Sequence, residues 1–154
     1  MTAKQPTTTQ VLAFSAVALL IIPVFVFIAS GLIRGMDLPA IIPAIGEQYL
    51  AEKNNLFIVS ILGLLPLLLV GLLLLIRKFI RKTWSGSVAY ALGGVIPVLL
   101  VAVFVNLEFW PKYLPARQFL GFPHGLEFII GPFAFAPIGI LFGFLFVWAV
   151  RKKV

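Results

Sequence analysis

Four long apolar runs alternate with short polar segments along the chain. The runs cover Val11–Ile33, Leu56–Ile76, Ser87–Leu107 and Leu126–Val150, and none carries a charged residue near its middle. Each is about 20 residues long or slightly longer, which is the length that an α-helix needs to cross the hydrocarbon core of a bilayer. The pattern predicts an all-α, polytopic membrane protein with four transmembrane helices.

The composition agrees with this interpretation. Hydrophobic residues make up 62% of the 154 residues and charged residues 11%, whereas a soluble domain carries about 25% charged residues. Because the segments between the runs are short, residues 1–154 are predicted to form a single transmembrane domain. The chain has no cysteine and one histidine, which excludes disulfides, thiolate metal sites and metal or haem sites built from several of its own histidines.

The charged residues lie at the ends of the runs and are sorted by sign. What we call the basic end holds eight basic residues and no acid: Lys4, Arg77, Lys78, Arg81, Lys82, Arg151, Lys152 and Lys153. The opposite, acidic end holds four basic residues and all five acids: Arg34, Lys53, Lys112, Arg117, Asp37, Glu47, Glu52, Glu108 and Glu127.

This asymmetry predicts an orientation. Lysine and arginine are enriched in cytoplasmic loops, so both termini are expected in the cytoplasm, or on the equivalent side of a thylakoid-type membrane. A bacterial inner membrane and a thylakoid-type membrane both fit the sequence. The net charge of +7 is then explained by orientation and by attraction to anionic lipid headgroups, and no nucleic-acid partner is expected.

The chain also contains an internal repeat. Pro39 and Pro43 recur 72 residues later as Pro111 and Pro115. Each run has one proline near its middle, at Pro23, Pro66, Pro97 and Pro137, where it removes a backbone donor and is expected to bend the helix. We interpret the pattern as two tandem αα hairpins, about residues 11–82 and 86–150, related by a pseudo-twofold axis along the membrane normal.

The two segments at the acidic end are unusually apolar for loops. Residues 36–55 and 108–125 contain many aliphatic and aromatic side chains, Trp110 among them. Such segments suit the bilayer interface or a protein partner. A short interfacial helix is predicted from Pro43 to Ala51.

The ionisable groups closest to the fourth run form one candidate site. His124 and Glu127 are three residues apart at the predicted helix start, and Glu108 ends the third run. Residues at this spacing share a helix face, so His124, Glu127 and Glu108 are candidates for binding a cofactor or relaying protons. Alternatively, Glu127 only stabilises the helix start through the macrodipole, and His124 alone is a possible ligand of a chlorophyll-type or haem cofactor.

The fourth run carries a second candidate site. Gly139 and Gly143 form a small-xxx-small pattern that allows close approach of another backbone, and at 100° per residue Phe135 and Phe142 project beside them. This face is predicted to pack against a helix, or to hold a flat lipophilic molecule such as a quinone, a pigment or a lipid tail. Three other glycines are also predicted to make close helix contacts: Gly63, Gly71 and Gly93.

Three functions stay open at this point. The first is a non-catalytic integral membrane subunit that serves as an accessory, assembly or scaffold component of a larger complex, with lipids and other membrane subunits as partners. The second is a carrier or binding protein for a lipophilic molecule between the two hairpins. The third is a membrane enzyme using His124, Glu127 and Glu108, which has few polar groups to orient a substrate. No cofactor is required by the residues, although chlorophyll, quinone and lipid remain possible ligands.

Overall fold

A computed structural model describes residues 6–50, 55–81, 86–110 and 126–151, with only the backbone for residues 49, 50, 55, 56, 81, 127 and 128. Every regular element in these ranges is helical. They are α1 (Thr8–Ile33), α2 (Leu38–Leu50), α3 (Asn55–Arg81), α4 (Ser87–Phe109), α5 (Glu127–Ile130), a π-helical turn (Gly131–Phe135) and α6 (Ala136–Arg151).

Within the described residues, four helices are long and apolar enough to cross a membrane. They span Thr8–Ile33, Phe57–Ile80, Ser87–Phe109 and Gly131–Arg151. The predictions of an all-α protein and of four helices long and apolar enough to span a membrane are therefore confirmed. Several helices extend into the polar flanks of the predicted runs, because a helix in lipid continues until its backbone can be satisfied by water or caps.

Side-chain and glycine caps set both ends of α1. At its start, the Thr7 hydroxyl accepts a hydrogen bond from the Gln10 amide and the Gln10 side chain accepts one from the Thr7 amide, which is a capping box. At its end, Gly35 takes a left-handed conformation with φ of 79°. The Met36 amide then bonds to the Gly31 carbonyl at 3.0 Å, so α1 stops in a Schellman motif.

The short helix α2 folds back against the end of α1. The Asp37 carboxylate accepts a hydrogen bond from the Ala40 amide at 3.2 Å and so caps α2. Ile41 is fully buried and reaches Gly31, where an added Cβ would lie 2.8 Å from its Cδ1 atom. A helix was expected in this segment, but it begins at Leu38 rather than Pro43, because the Asp37 cap lies further upstream.

The core consists of two clusters, one toward each end of the bundle. The cluster at the acidic end joins α1, α2, α3 and α4 and includes Val26, Phe27, Ile41, Val59, Val105 and Trp110. The cluster at the basic end joins α1, α3, α4 and α6 and includes Leu19, Val70, Leu74, Tyr90, Val95 and Ile140. The starts of α1 and α4 therefore lie at the same end of the bundle as the end of α3.

The fourth membrane span is not one regular α-helix. Between α5 and α6 the Ala136 amide bonds to the Gly131 carbonyl, five residues earlier, in a π-helical turn. Pro132 and Pro137 flank this bond, and neither has an amide hydrogen for the usual helical bond. The assumption of 100° per residue throughout this span is therefore wrong between Gly131 and Phe135, since a π turn changes the phase of the helix.

Neighbouring helices pair in a simple pattern. α1 packs against α3 and α4, and α4 packs against α6. The sequence duplication of the two hairpins, and the side of the membrane on which the termini lie, remain predictions.

Candidate functional site

The ionisable candidate site is only partly visible. Glu108 lies in the last turn of α4 and is half-buried. Glu127 begins α5 but its side chain is outside the description, and His124 lies outside the described residues. Within residues 6–50, 55–81, 86–110 and 126–151, the structure shows no cluster of three acidic or histidine side chains able to hold a metal. The association of His124, Glu127 and Glu108 therefore stays a prediction.

The glycine face of α6 lies directly against α4. A Cβ added at Gly139 would come within 2.7 Å of the Pro97 Cβ, and one added at Gly93 would lie 2.9 Å from the Gly143 carbonyl oxygen. Ala136 and Ile140 on the same side are fully buried. The backbones of α4 and α6 therefore touch along this line, where side chains would hold them apart.

Most aromatic residues of the fourth span point away from these small residues, whereas Phe144 packs against Tyr90 of α4, with ring centroids 5.5 Å apart. Phe135 and Phe142 are both exposed, and Phe142 keeps 68% of its surface. Neither Phe135 nor Phe142 makes a described contact with α4. The small residues therefore face α4, whereas these two rings face the surroundings of the bundle. The large exposed side chains of the fourth span up to Trp148, which we call the aromatic face, are Phe133, Phe135, Ile138, Leu141, Phe142, Leu145, Phe146 and Trp148.

A buried aromatic and amide cluster closes the bundle at the acidic end. Trp110 is completely buried and packs edge-on against Phe27, with ring centroids 5.2 Å apart, and against Phe109 at 4.8 Å. Its Nε1–H donates to the Asn106 Oδ1 at 2.8 Å, and the Asn106 Nδ2 donates to the Ala102 carbonyl at 2.8 Å. Trp110 thus belongs to the core, although its position in an apolar loop suggested the bilayer interface or a partner.

A small cavity lies at the centre of the bundle, between the two core clusters. Its volume is about 20 Å³, and Pro23, Pro66, Pro132, Gly63 and Asn106 are among its lining residues. A space of this size holds about one water molecule. It is too small for a quinone, a pigment or a lipid tail in the conformation described.

A much larger space opens at the basic end. This basic-end groove has a volume of about 540 Å³ and lies between residues 7–9 and Leu12 of α1, Gly71, Leu74 and Leu75 of α3, and Val88 of α4. A Cβ at Gly71 would meet no described atom within 4 Å. The expectation that Gly63 and Gly71 make close helix contacts is therefore wrong, because both face open space rather than a neighbouring backbone.

Positive side chains surround the basic end. The Arg77 guanidinium lies over the Tyr90 ring, 4.3 Å from its centroid, in a cation–π contact. The Arg151 side chain lies against Gly86, whose φ of 70° favours a residue without a Cβ. The acids whose side chains are described, Asp37, Glu47 and Glu108, lie at the acidic end. The structure thus places the described charges in two separate layers.

Sequence reasoning missed three features of these sites. Asn106 is a polar residue inside a transmembrane run, which could have marked a buried hydrogen bond. Pro132 and Pro137, five residues apart, could have indicated an irregular helix. The basic-end groove left no sequence signal, because leucines that line a groove and leucines that face lipid look alike.

Comparisons with known proteins identify no relative. No protein-family model matches the chain, and no curated protein and no solved structure is significantly similar to it.

Proposed function

We propose that this protein is a non-catalytic integral membrane subunit, an accessory, assembly or scaffold component of a larger membrane protein complex. The aromatic face of the fourth span would be its surface of contact with another subunit. The observation that carries the proposal is the peripheral position of this span. Only 11% of its most apolar 18-residue window is buried, against 28–33% in the other three spans.

The residue types on this face support a protein partner. Five of its eight side chains are aromatic, at Phe133, Phe135, Phe142, Phe146 and Trp148. In the central part of α3, the large exposed side chains are aliphatic instead: Ile61, Leu65, Leu68 and Leu72. Aliphatic side chains are sufficient for a surface that contacts lipid, whereas aromatic residues are enriched at the centres of protein interfaces.

The fold supports a structural role in a second way. The described parts of the four spans have no acidic or basic side chain near their centres, and such groups mark most ion and proton pathways through membranes. Two polar side chains inside the bundle bond to carbonyls of their own helix: Ser15 to Val11 at 2.7 Å and Asn106 to Ala102 at 2.8 Å. These bonds satisfy the hydrogen-bonding groups of the side chains within their own helix, as is usual for polar residues with a structural role.

The finer architecture belongs to the same proposal. We place the basic end in the cytoplasm, in a bacterial inner membrane or a thylakoid-type membrane, following the positive-inside rule. The two hairpins, α1 with α3 and α4 with α6, would be copies of one ancestral unit. The contacts within each of these helix pairs are compatible with that origin.

Site-specific photo-crosslinking in native membranes tests the protein interface. We would introduce a photo-reactive benzoyl-phenylalanine at Phe142 or at Phe146, which are 68% and 70% exposed. Matched controls are Phe25 of α1 and Leu68 of α3, at 67% and 70% exposure. We expect one discrete protein adduct from the α6 positions and only lipid adducts from the controls. Equal yields of protein adducts at all four positions, or none at Phe142 and Phe146, would refute the proposal.

A second candidate function is the binding or carriage of a lipophilic molecule. The observation that favours it is the basic-end groove, rather than the space between the two hairpins, where the central cavity holds about 20 Å³. Native mass spectrometry of the full chain in mild detergent tests it, since a carrier should retain a small molecule after purification.

A further inference from the structure

We propose that the basic-end groove is a binding site for one anionic phospholipid. An acyl chain would lie in the groove and the phosphate would lie beside Lys78 at its rim. The inference supplies a ligand for the second candidate function, yet it stands apart from the contact surface on α6. A resident lipid site and a protein interface can each fail without the other.

The shape of the groove suits an acyl chain. Its volume of about 540 Å³ falls within the range of about 300–1,000 Å³ that is usual for small-molecule sites. Its wall on α3 runs from Gly71 to Leu75, which is about 6 Å along the helix axis. A single hydrocarbon chain can lie against this apolar wall.

Gly71 creates the open space. It lies on the same face of α3 as Leu74 and Leu75, since residues three and four apart are neighbours on a helix surface. A Cβ at Gly71 would contact no described atom within 4 Å. The groove is therefore open at this point, and the next lining residues of α3 are leucines, an apolar surface that suits hydrocarbon.

The charge at the rim selects the headgroup. Lys78 is four residues after Leu74 and seven after Gly71, so it continues the groove face of α3 toward the basic end. The side chain is exposed. On the α1 side, Thr8 and Thr9 line the groove and carry hydroxyl groups. A lysine next to the groove face and hydroxyl donors in its wall favour a phosphate with net negative charge, and a basic residue near a membrane surface contributes about 1 kcal/mol to such binding.

Native mass spectrometry of the full chain with two added lipids measures the selectivity. We expect dioleoylphosphatidylglycerol to bind at least about fivefold better than dioleoylphosphatidylcholine, the ratio that 1 kcal/mol represents. Lys78→Gln should abolish most of this preference while leaving binding of the zwitterionic lipid intact. Arg151→Gln is the matched control, because it removes one charge from the same end on α6, which does not line the groove. Equal binding of the two lipids, or equal effects of the two substitutions, would overturn the proposal.

Filling the groove tests its location. Gly71→Phe should remove the first bound lipid, whereas Leu72→Phe, at an exposed position one residue away, should retain it. Thermal unfolding of both variants establishes that they are folded. If Gly71→Phe does not fold, a phosphatidylglycerol with a photo-reactive acyl chain locates the site in the unaltered protein. Adducts on the first turns of α1 and on the segment from Gly71 to Leu75 support the site, and adducts confined to other segments contradict it.

Discussion

Two glycines, one on each helix, decide how closely α4 and α6 approach each other. Gly93 and Gly143 lie where the two backbones meet, and a Cβ at Gly93 would lie 2.9 Å from the Gly143 carbonyl oxygen and 2.8 Å from the Val147 Cγ2. Close backbone contact provides van der Waals packing over a long line, which is the main attraction between helices in lipid. Gly93 and Gly143 therefore stabilise the packing of α4 against α6, because a residue without a side chain lets the two backbones come into contact.

We predict that Gly143→Ala destabilises the protein by about 1–3 kcal/mol, the usual cost of overpacking a close contact. The new methyl group would collide with the Gly93 carbonyl, which is backbone and cannot rotate away. Gly63→Ala is the matched control, because its Cβ would meet open space and alanine favours a helix over glycine by about 1 kcal/mol. Unfolding in mixed detergent micelles gives both free energies. Similar values for the two variants would show that α4 and α6 do not touch at Gly143.

At the scale of helical elements, the short helix α2 and the π-helical turn are the departures from a bundle of four long α-helices. Both lie in the half of the bundle toward the acidic end. The packing of α2 depends on Ile41, which enters the space that Gly31 leaves open on α1. The π turn places Gly131 against Val105 of α4, and a glycine is needed there because a Cβ would overlap that side chain. One contact at a glycine thus anchors each of these two elements, Gly31 for α2 and Gly131 for the π-helical turn.

We predict that Ile41→Ala lowers the free energy of unfolding by about 2–5 kcal/mol, as truncation of a buried aliphatic side chain does. The neighbouring Ile42 is 65% exposed, so Ile42→Ala should change stability by no more than about 0.5 kcal/mol. Proteolysis of the α2 segment gives a second readout, because undocking of α2 would expose its backbone. Equal effects of the two substitutions would mean that α2 does not dock through Ile41.

At the scale of the whole molecule, charge is distributed by layer. Arg77, Lys78 and Arg151 lie at one end of the bundle and Asp37, Glu47 and Glu108 at the other, while the spans between them are apolar. Lipid excludes charge from its core, so charged side chains accumulate at the two surfaces. The excess of lysine and arginine at one surface then favours one orientation over the other.

We predict that the basic end faces the cytoplasm. The chain has no cysteine, so a single introduced cysteine reports the side of the membrane on which it lies. In intact cells a membrane-impermeant maleimide should label Glu47→Cys, at the acidic end, and should label Thr9→Cys only after the membrane is opened. Labelling of Thr9→Cys from outside, with Glu47→Cys protected, would reverse the orientation.

The number of spans, their approximate limits and the sorting of charge were all predictable from residue order. These features depend on the length of each apolar run and on the free-energy cost of placing a charge in lipid. Both factors apply to each segment independently of the others. The tertiary structure decided the remaining features, among them the burial of Trp110, the open face of Gly71 and the contact between Gly93 and Gly143. In a membrane protein the helix faces toward lipid and toward the core are both apolar. Hydrophobic periodicity therefore carries little information about how each helix is rotated about its own axis. Which side of each helix meets a neighbour follows only from how all four helices pack together.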